Sequence, residues 1–528
     1  MTSAPRRYDA VVVGAGHNGL VCACYLAVRG LKVCVLERRE TVGGAAVTEE
    51  FHPGFRNSTA SYTVSLLHPK VIRDLRLAEH GLRVVERPIA NFLPLPDGGF
   101  LKVGGGLEAT QREVARFSRR DAERLPDYYR RLEAVAGVLR ELLLATPPNA
   151  GGGVGELVSA WKASRAWRRL SMAARRDVLD LFTVPAADWL ERWFESEPIK
   201  ACFGFDSVVG NFASPYDPGT AYVLLHHVFG EVNGKKGSWG HAIGGMGAIT
   251  QAMRREAEAR GVEIRTGVSA ERVLVERGRA AGVALADGAQ VASRCVVSNA
   301  HPQWLLRALP DLPGEWREAF SSYRSESATF RMNVALAELP DFVALPGREA
   351  GDHHRSGVIM APSLAYMDRA HATARENGWS AEPIVEMLIP STVDDSLAPA
   401  GKHVASLFCQ HFRYALPGGR GWEAERERAA DAIVEHVSRF APNFRAAILG
   451  RRILSPLDLE REFGLVGGDI FHGKLALNQL FSARPVLGYG NYRMPLEGLY
   501  LCGSGAHPGG GVTGIPGHNA AREALRDL

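Results

Sequence analysis

Short apolar runs that end in glycine mark the start, the middle and the end of this 528-residue chain. Tyr8–Val13 reads as a buried strand and runs into Gly14-Ala15-Gly16-His17-Asn18-Gly19, after which Leu20–Arg29 reads as a helix. Gly30 stops that helix, and Leu31–Leu36 predicts the next parallel strand. In the middle, Gly244-Gly245-Met246-Gly247 precedes a helix over Ala248–Glu258, and strands follow at 261–264, 271–275, 281–286 and 292–297. Near the end, a strand over Gly498–Cys502 enters a glycine-rich turn, and a helix runs from about Ile515 to Leu525. Residues 1–74, 236–309 and 487–528 are therefore read as three pieces of one nucleotide-binding domain.

The two intervening segments, 75–235 and 310–486, read as one α+β substrate domain. The first opens with a hairpin, Phe92–Leu95 and Phe100–Val103 around Pro96-Asp97-Gly98-Gly99. Helical stretches follow at 109–117, 121–144 and 155–194. The second offers strands at 329–337, 384–389 and 404–411 and a helix over 423–440. An apolar fraction of 46% and a charged fraction of 23% fit a soluble globular protein, and a net charge of +4 is no nucleic-acid footprint. The seven cysteines show no pairable spacing, which points to a reducing compartment. No apolar run approaches a membrane span, and only Arg6 and Arg7 precede the first strand, which predicts a cytoplasmic protein.

The first glycine cluster carries specific chemistry. Gly14 permits a tight turn, Gly16 lets the backbone approach a pyrophosphate, and Gly19 lets the helix pack on the strand. Phosphates would sit at the helix N-terminus, where free N–H groups favour anions. Glu37 closes the second strand, 37 − 14 = 23 residues after the first glycine, where an acid accepts ribose hydroxyls. Gly43 and Gly44 follow and resemble the glycine pair of flavoproteins of the glutathione-reductase class, an ordinary turn being their other reading, with Arg38 and Ala45 beside these contacts. Val268 is expected against the adenine. Gly503 is expected to contact the cofactor; if the chain is a flavoprotein, Gly509, Gly510, Gly511, Val512 and Gly514 form the flavin end, where the last helix would stabilise negative charge. Gly245-Met246-Gly247 is not read as a second, NADPH-binding site, because no apolar strand precedes it and Thr250 replaces the third glycine.

With these pieces assembled, the chain resembles the phytoene desaturase-related flavoproteins. The likeness is strongest to the pyridine nucleotide-disulphide oxidoreductase domain-containing protein 2 subgroup; carotenoid ketolases are more distant. Gly237-Ser238-Trp239-Gly240 to Gly247, Leu475–Leu480 and Leu499–Gly511 carry it. The resemblance implies a discontinuous Rossmann-type FAD domain of the glutathione-reductase class in the amine-oxidase and phytoene-desaturase architecture. It implies FAD as cofactor and redox or isomerisation chemistry on an apolar, often polyene, substrate. Animal members of the subgroup are mitochondrial, so the mitochondrial matrix stands as the alternative location. Three departures matter. No CxxxxC follows Gly43-Gly44, Ser504 stands where amine oxidases carry an acid, and Arg56-Asn57-Ser58-Thr59 replaces the desaturases' Asp-x-Gly.

His507 is the candidate catalytic residue, since the last loop should place it beside the flavin; its other reading is a histidine capping backbone in a tight turn. His241, His301 and His518 are secondary candidates. No HExxH, CxxC or clustered ligand set indicates a metal. The basic run Trp161–Arg176 is read as a solvated helix face, with peripheral contact to an anionic bilayer as its competitor. Two further functions remain open on the same fold: a flavin amine oxidase and a non-enzymatic lipid-binding chaperone.

Overall fold

The computed structural model describes residues 8–149, 153–309 and 311–528. Ala10, Val11 and Val12 of the strand Tyr8–Val13 are fully buried, because helices cover both faces of the sheet. Val11 lies opposite Cys34 of Val33–Leu36 on one side and opposite Val296 of Gln290–Ser298 on the other, both in parallel register. Glu263–Arg265 extends the sheet beyond Val33–Leu36, and Leu499–Leu501 pairs in parallel with the far end of Gln290–Ser298.

Gln290–Ser298 belongs to two kinds of ladder. Val296–Ser298 pairs in parallel with Leu499–Leu501, while Gln290–Ala292 pairs antiparallel with Arg279–Leu285, itself paired with Ala270–Glu276. The chain is thus α/β, with a Rossmann-type sheet assembled from its beginning, middle and end. Helices His17–Val28, Met246–Ala259 and Ile515–Asp527 pack against that sheet and each other, with Gly517 and Asn18 meeting so closely that a Cβ at Gly517 would stand 2.2 Å from the Asn18 carbonyl.

The second sheet runs in the order Ile448–Leu454, Thr329–Leu336, His403–Phe412, Trp379–Leu388, Gly357–Met360, Asn91–Pro94 and Phe100–Val103. It joins strands from both long insertions through the parallel pairing of Val358 with Phe92. Trp422–Phe440 packs over the core of Phe330, Val385 and Leu407, whereas the helices between 107 and 228 enclose Leu132, Trp189 and Phe205. The helical stretch expected over 155–194 is interrupted. Ser171 caps a new helix by accepting from the Ala174 N–H, and Pro185 precedes another at Ala186–Glu191. Gly357–Met360 and Ile448–Leu454 were not expected as strands; the first is only four residues long, and the second carries Arg451 and Arg452 in its middle.

One buried ion cluster pins the nucleotide domain to the start of the first insertion. The side chain of Glu256 is 0% exposed and accepts from Arg76 at 3.0 Å, meets His80 at 2.7 Å and binds Arg260. Arg76 is 48% exposed and His80 and Arg260 are 20% and 21% exposed, so water screens the partners left behind when the carboxylate is removed. Glu256→Ala is expected to lower stability, seen as a lower midpoint in urea denaturation.

Candidate functional site

Three distant segments meet at Asn299: residues 13–19, the end of Gln290–Ser298 and the turn at Gly503. Its backbone N–H donates to the Val13 carbonyl at 2.8 Å, and its side-chain amide donates to the Gly14 carbonyl at 3.3 Å. A Cβ on Gly16 would stand 2.7 Å from Asn299 Nδ2, and one on Gly503 would stand 2.6 Å from the Asn299 carbonyl. A Cβ on Gly19 would lie 2.1 Å from the Gly14 carbonyl, so the first helix closes on its strand only with glycine there. The Gly43 N–H donates to the Ala15 carbonyl at 2.9 Å, bringing the glycine pair onto the same turn.

These contacts form the floor of a cavity of about 800 Å³. Of the expected nucleotide contacts, Gly14, Gly16, Glu37, Arg38, Gly43, Gly44, Ala45, Val268, Gly511 and Val512 line it. Gly19, Gly503, Gly509, Gly510 and Gly514 do not. Gly19 and Gly503 act behind the wall through close packing, Gly509 approaches Arg484, Gly510 packs on Phe471, and Gly514 turns the chain at φ 73°.

The Glu37 carboxylate accepts from the Ala15 N–H at 2.8 Å and from the Arg39 N–H at 3.0 Å. Each oxygen keeps a lone pair for a ligand hydroxyl. The Val268 N–H donates to the Glu37 carbonyl at 2.8 Å, placing the loop at Val268 beside this carboxylate. The first helix has no side-chain cap at Gly16, leaving its first-turn N–H groups available at the cavity floor. The helix at Gly245-Met246-Gly247 differs, since the Met246 and Gly247 N–H groups donate to Ser58 Oγ at 2.9 Å and Thr48 Oγ1 at 3.0 Å.

Several cavity residues escaped the sequence reading. Arg39 binds Glu49 at 2.6 Å through one nitrogen and lies over the Phe463 ring, while its buried Nη1 has no partner. Its position two residues after Glu37 was the available signal. Arg38, by contrast, is committed to protein, donating to the carbonyls of Arg461 and Glu462. At the opposite end, Tyr62 stacks on Phe408 at 5.3 Å, donates to Glu386 at 2.5 Å and lies under the Arg331 guanidinium. Trp239 stacks with His227. Val512 and His472 hold left-handed backbones, φ 58° and 55°, a cost that the surrounding packing must sustain.

His507 is corrected by the structure. Its ring does not line this cavity; Nε2 meets the Leu142 carbonyl at 3.1 Å, and Phe481 packs edge-on against it. His241 is paired with Asp394 at 2.8 Å and His518 packs on Tyr25, both outside the cavity. Only His301 of the expected histidines lines it, joined by His17, His227 and His472. His301 Nε2 meets Ser325 Oγ at 3.0 Å, and His17 Nε2 is buried without a partner. All seven cysteines are free and buried, and none lines the cavity.

Arg484 lies completely buried behind the wall formed by Phe471, His472 and Ser504. It donates only to backbone carbonyls: Phe471 at 2.7 Å, Ser504 at 2.8 and 3.2 Å, Gly473 at 3.3 Å and Gln479 at 3.2 Å. A cation with no direct ion pair among the described residues therefore sits next to the last glycine-rich loop, within the field of the buried Asp469 carboxylate. Replacing it by methionine strands four carbonyls, so Arg484→Met is expected to cost about 3–5 kcal/mol in chemical denaturation, and Arg484→Lys less.

Burial pushes His17 down to about 3 and holds His227, His472 and His507 at about 4. The positive field of Arg484 adds to the burial of His472 and His507. These folded-state values lie below 6.5, so the unfolded chain binds protons first. Their contribution to stability is complete above pH 6.5 and is lost as pH falls towards 4. Each imidazole is expected to cost about 2 kcal/mol at pH 5. A melting temperature that declines steeply between pH 6.5 and 4.5, followed by calorimetry, is the expected outcome.

Residues 12–76 match the family model of an NAD(P)-binding Rossmann-like domain. The chain is 42% identical to pyridine nucleotide-disulfide oxidoreductase domain-containing protein 2 of Rattus norvegicus, over 99% of this chain and 94% of that protein. It is 24% identical to the phytoene desaturase (lycopene-forming) of a Paracoccus species, over 99% and 98% of the two chains. The fold is shared with cyclohexylamine oxidase from Brevibacterium oxydans, at TM-score 0.58, 16% identity and 99% of both chains. A glycine-floored nucleotide cavity, a second sheet closing over it and near-complete overlap with these proteins lead to one assignment. The chain is an oxidoreductase and belongs to the pyridine nucleotide-disulfide oxidoreductase domain-containing protein 2 family.

Proposed function

We propose that the first cavity binds FAD and that the protein oxidises, desaturates or isomerises an apolar substrate. One observation carries this reading: a single cavity runs from the Gly16 and Glu37 end to an aromatic end made by Tyr62, Trp239 and Phe408. The donor set fits the cofactor. Glu37 has free lone pairs for ribose hydroxyls, and the uncapped helix and the orphan Arg39 Nη1 suit a pyrophosphate.

Bound FAD supplies a two-electron acceptor at the flavin N5. The protein's part is to position, desolvate and balance charge. Tyr62, Trp239 and Phe408 offer flat apolar surfaces that orient an extended hydrocarbon and exclude water. Arg484 places positive charge behind the Ser504–Val512 wall, favouring an anionic group on the cavity side. The buried histidines are neutral near pH 7, so they serve as hydrogen-bonding groups rather than cations.

The same lining favours an apolar substrate over an amine. The lining carboxylates, Glu37, Glu271 and Glu460, all belong to the segments around Val268 and Arg38 at the nucleotide end. Glu386, near the aromatic end, already accepts the Tyr62 hydroxyl. An ammonium ion would find no free carboxylate there among the described residues.

The purified protein is expected to be yellow, to bleach under dithionite and to release one FAD per chain on denaturation. Gly16→Val and Glu37→Ala should each weaken FAD binding about tenfold or more in a fluorescence titration of the apoprotein. A colourless protein that gains no absorbance with FAD would favour a lipid-binding chaperone instead. Peroxide formed from simple amines would favour an amine oxidase.

A further inference from the structure

A second cavity, of about 590 Å³, shares a wall with the first. Leu66 lines both, and Gly510 faces one chamber while Gly511 faces the other. Its size falls within the ~300–1,000 Å³ typical of small-molecule sites. The lining is mostly aliphatic and aromatic, drawn from the helices Arg119–Leu143, Met172–Thr183 and Thr220–Val228 and from the loop at Leu477–Phe481. Its two charged side chains are Arg140, already paired with Glu133, and Glu231. One polar atom stands out within it. His226 Nδ1 is buried and has no partner, on a residue only 4% exposed.

The mouth is marked by three side chains that line the chamber and still reach solvent. Trp167, Leu179 and Leu477 are 40%, 62% and 60% exposed. Trp161 and Met172, nearby in sequence, are 52% and 62% exposed. Clustered apolar exposure of this kind marks a binding surface. Cations flank it: Arg168 follows Trp167, and Arg176 lies one helical turn before Leu179. Arg168 and Arg165 stack on Trp161 at 4.8 and 5.0 Å, and neither they nor Arg176 meet a carboxylate among the described residues. No helix among the described residues is long and apolar enough to cross a membrane, so this mouth opens to water or to a surface it touches.

We propose that this chamber is a binding site for one single-chain anionic amphiphile, with its hydrocarbon chain inside and its anionic head at the Arg168 and Arg176 rim. An aliphatic chamber excludes polar ligands, and the arginine rim distinguishes an acid from the corresponding neutral ester or alcohol. A solvated basic helix would need no cavity behind it, and a flat bilayer contact would need no chamber of this depth. The assignment is independent of the nucleotide in the first cavity.

The test titrates the purified holoprotein with cis-parinaric acid, a fluorescent long-chain fatty acid. Saturable binding of one molecule per chain is expected, reversed by oleate and roughly tenfold less well by methyl oleate. Leu179→Asp, at an exposed position, should weaken binding about tenfold, and Leu139→Trp should abolish it by filling the chamber. The visible spectrum and melting temperature report separately that the nucleotide site and the fold persist in both variants. Absence of saturable binding, equal affinity for oleate and its ester, or wild-type affinity in both folded variants would overturn the proposal. Uptake confined to phosphatidylglycerol vesicles, with no binding of monomeric parinarate, would overturn it in favour of a bilayer-docking face.

Discussion

The structure depends on how closely four pieces of backbone approach one another around Asn299. Strand Tyr8–Val13, the first helix, the end of Gln290–Ser298 and the turn at Gly503 converge within van der Waals distance. Side chains at Gly16, Gly19 or Gly503 would collide with Asn299 or with the Gly14 carbonyl. Glycine is thus required for packing at the point where a pyrophosphate would also need access. Scaffold and site share one constraint, and Asn299 bridges them by donating through both its backbone and its side chain.

From that junction the architecture follows. The parallel sheet is buried on both faces and needs helices on each side, while the second sheet takes strands from both insertions and closes over the remaining opening. The two chambers arise where these layers fail to meet. One is floored by glycine backbone, and the other is walled by helices 119–143, 172–183 and 220–228. Their shared wall is the last glycine-rich loop, backed by a buried cation that donates only to carbonyls.

Much of the nucleotide domain was legible because its signals are local. Apolar runs, the glycine spacing and Glu37 each reside in a single short segment, and the strands Tyr8–Val13 and Leu499–Leu501 emerge from them nearly residue for residue. What escaped is long-range. Tyr62, Trp239 and Phe408 lie far apart in the chain and meet only in space, and Arg484 shows its importance only through four carbonyls. His507 was placed on the correct loop, yet which side of that loop its ring faces is set by the Leu142 carbonyl and Phe481, neither of which spacing reveals. Gly357–Met360 is too short to declare itself without the partner strands that flank it.

The double role of Gln290–Ser298 reaches back to the order in which the molecule comes into being. Its early half can pair with Arg279–Leu285 as soon as both are synthesised, but its late half waits for Leu499–Leu501, some two hundred residues further on. Until that strand and Ile515–Asp527 exist, the wall between the chambers is missing and the apolar lining of the second chamber stands open to water. Closure of such distant contacts is slow, and surface exposed in the interval invites aggregation. The last strand and helix are therefore the pieces on which completion of the wall between the chambers depends.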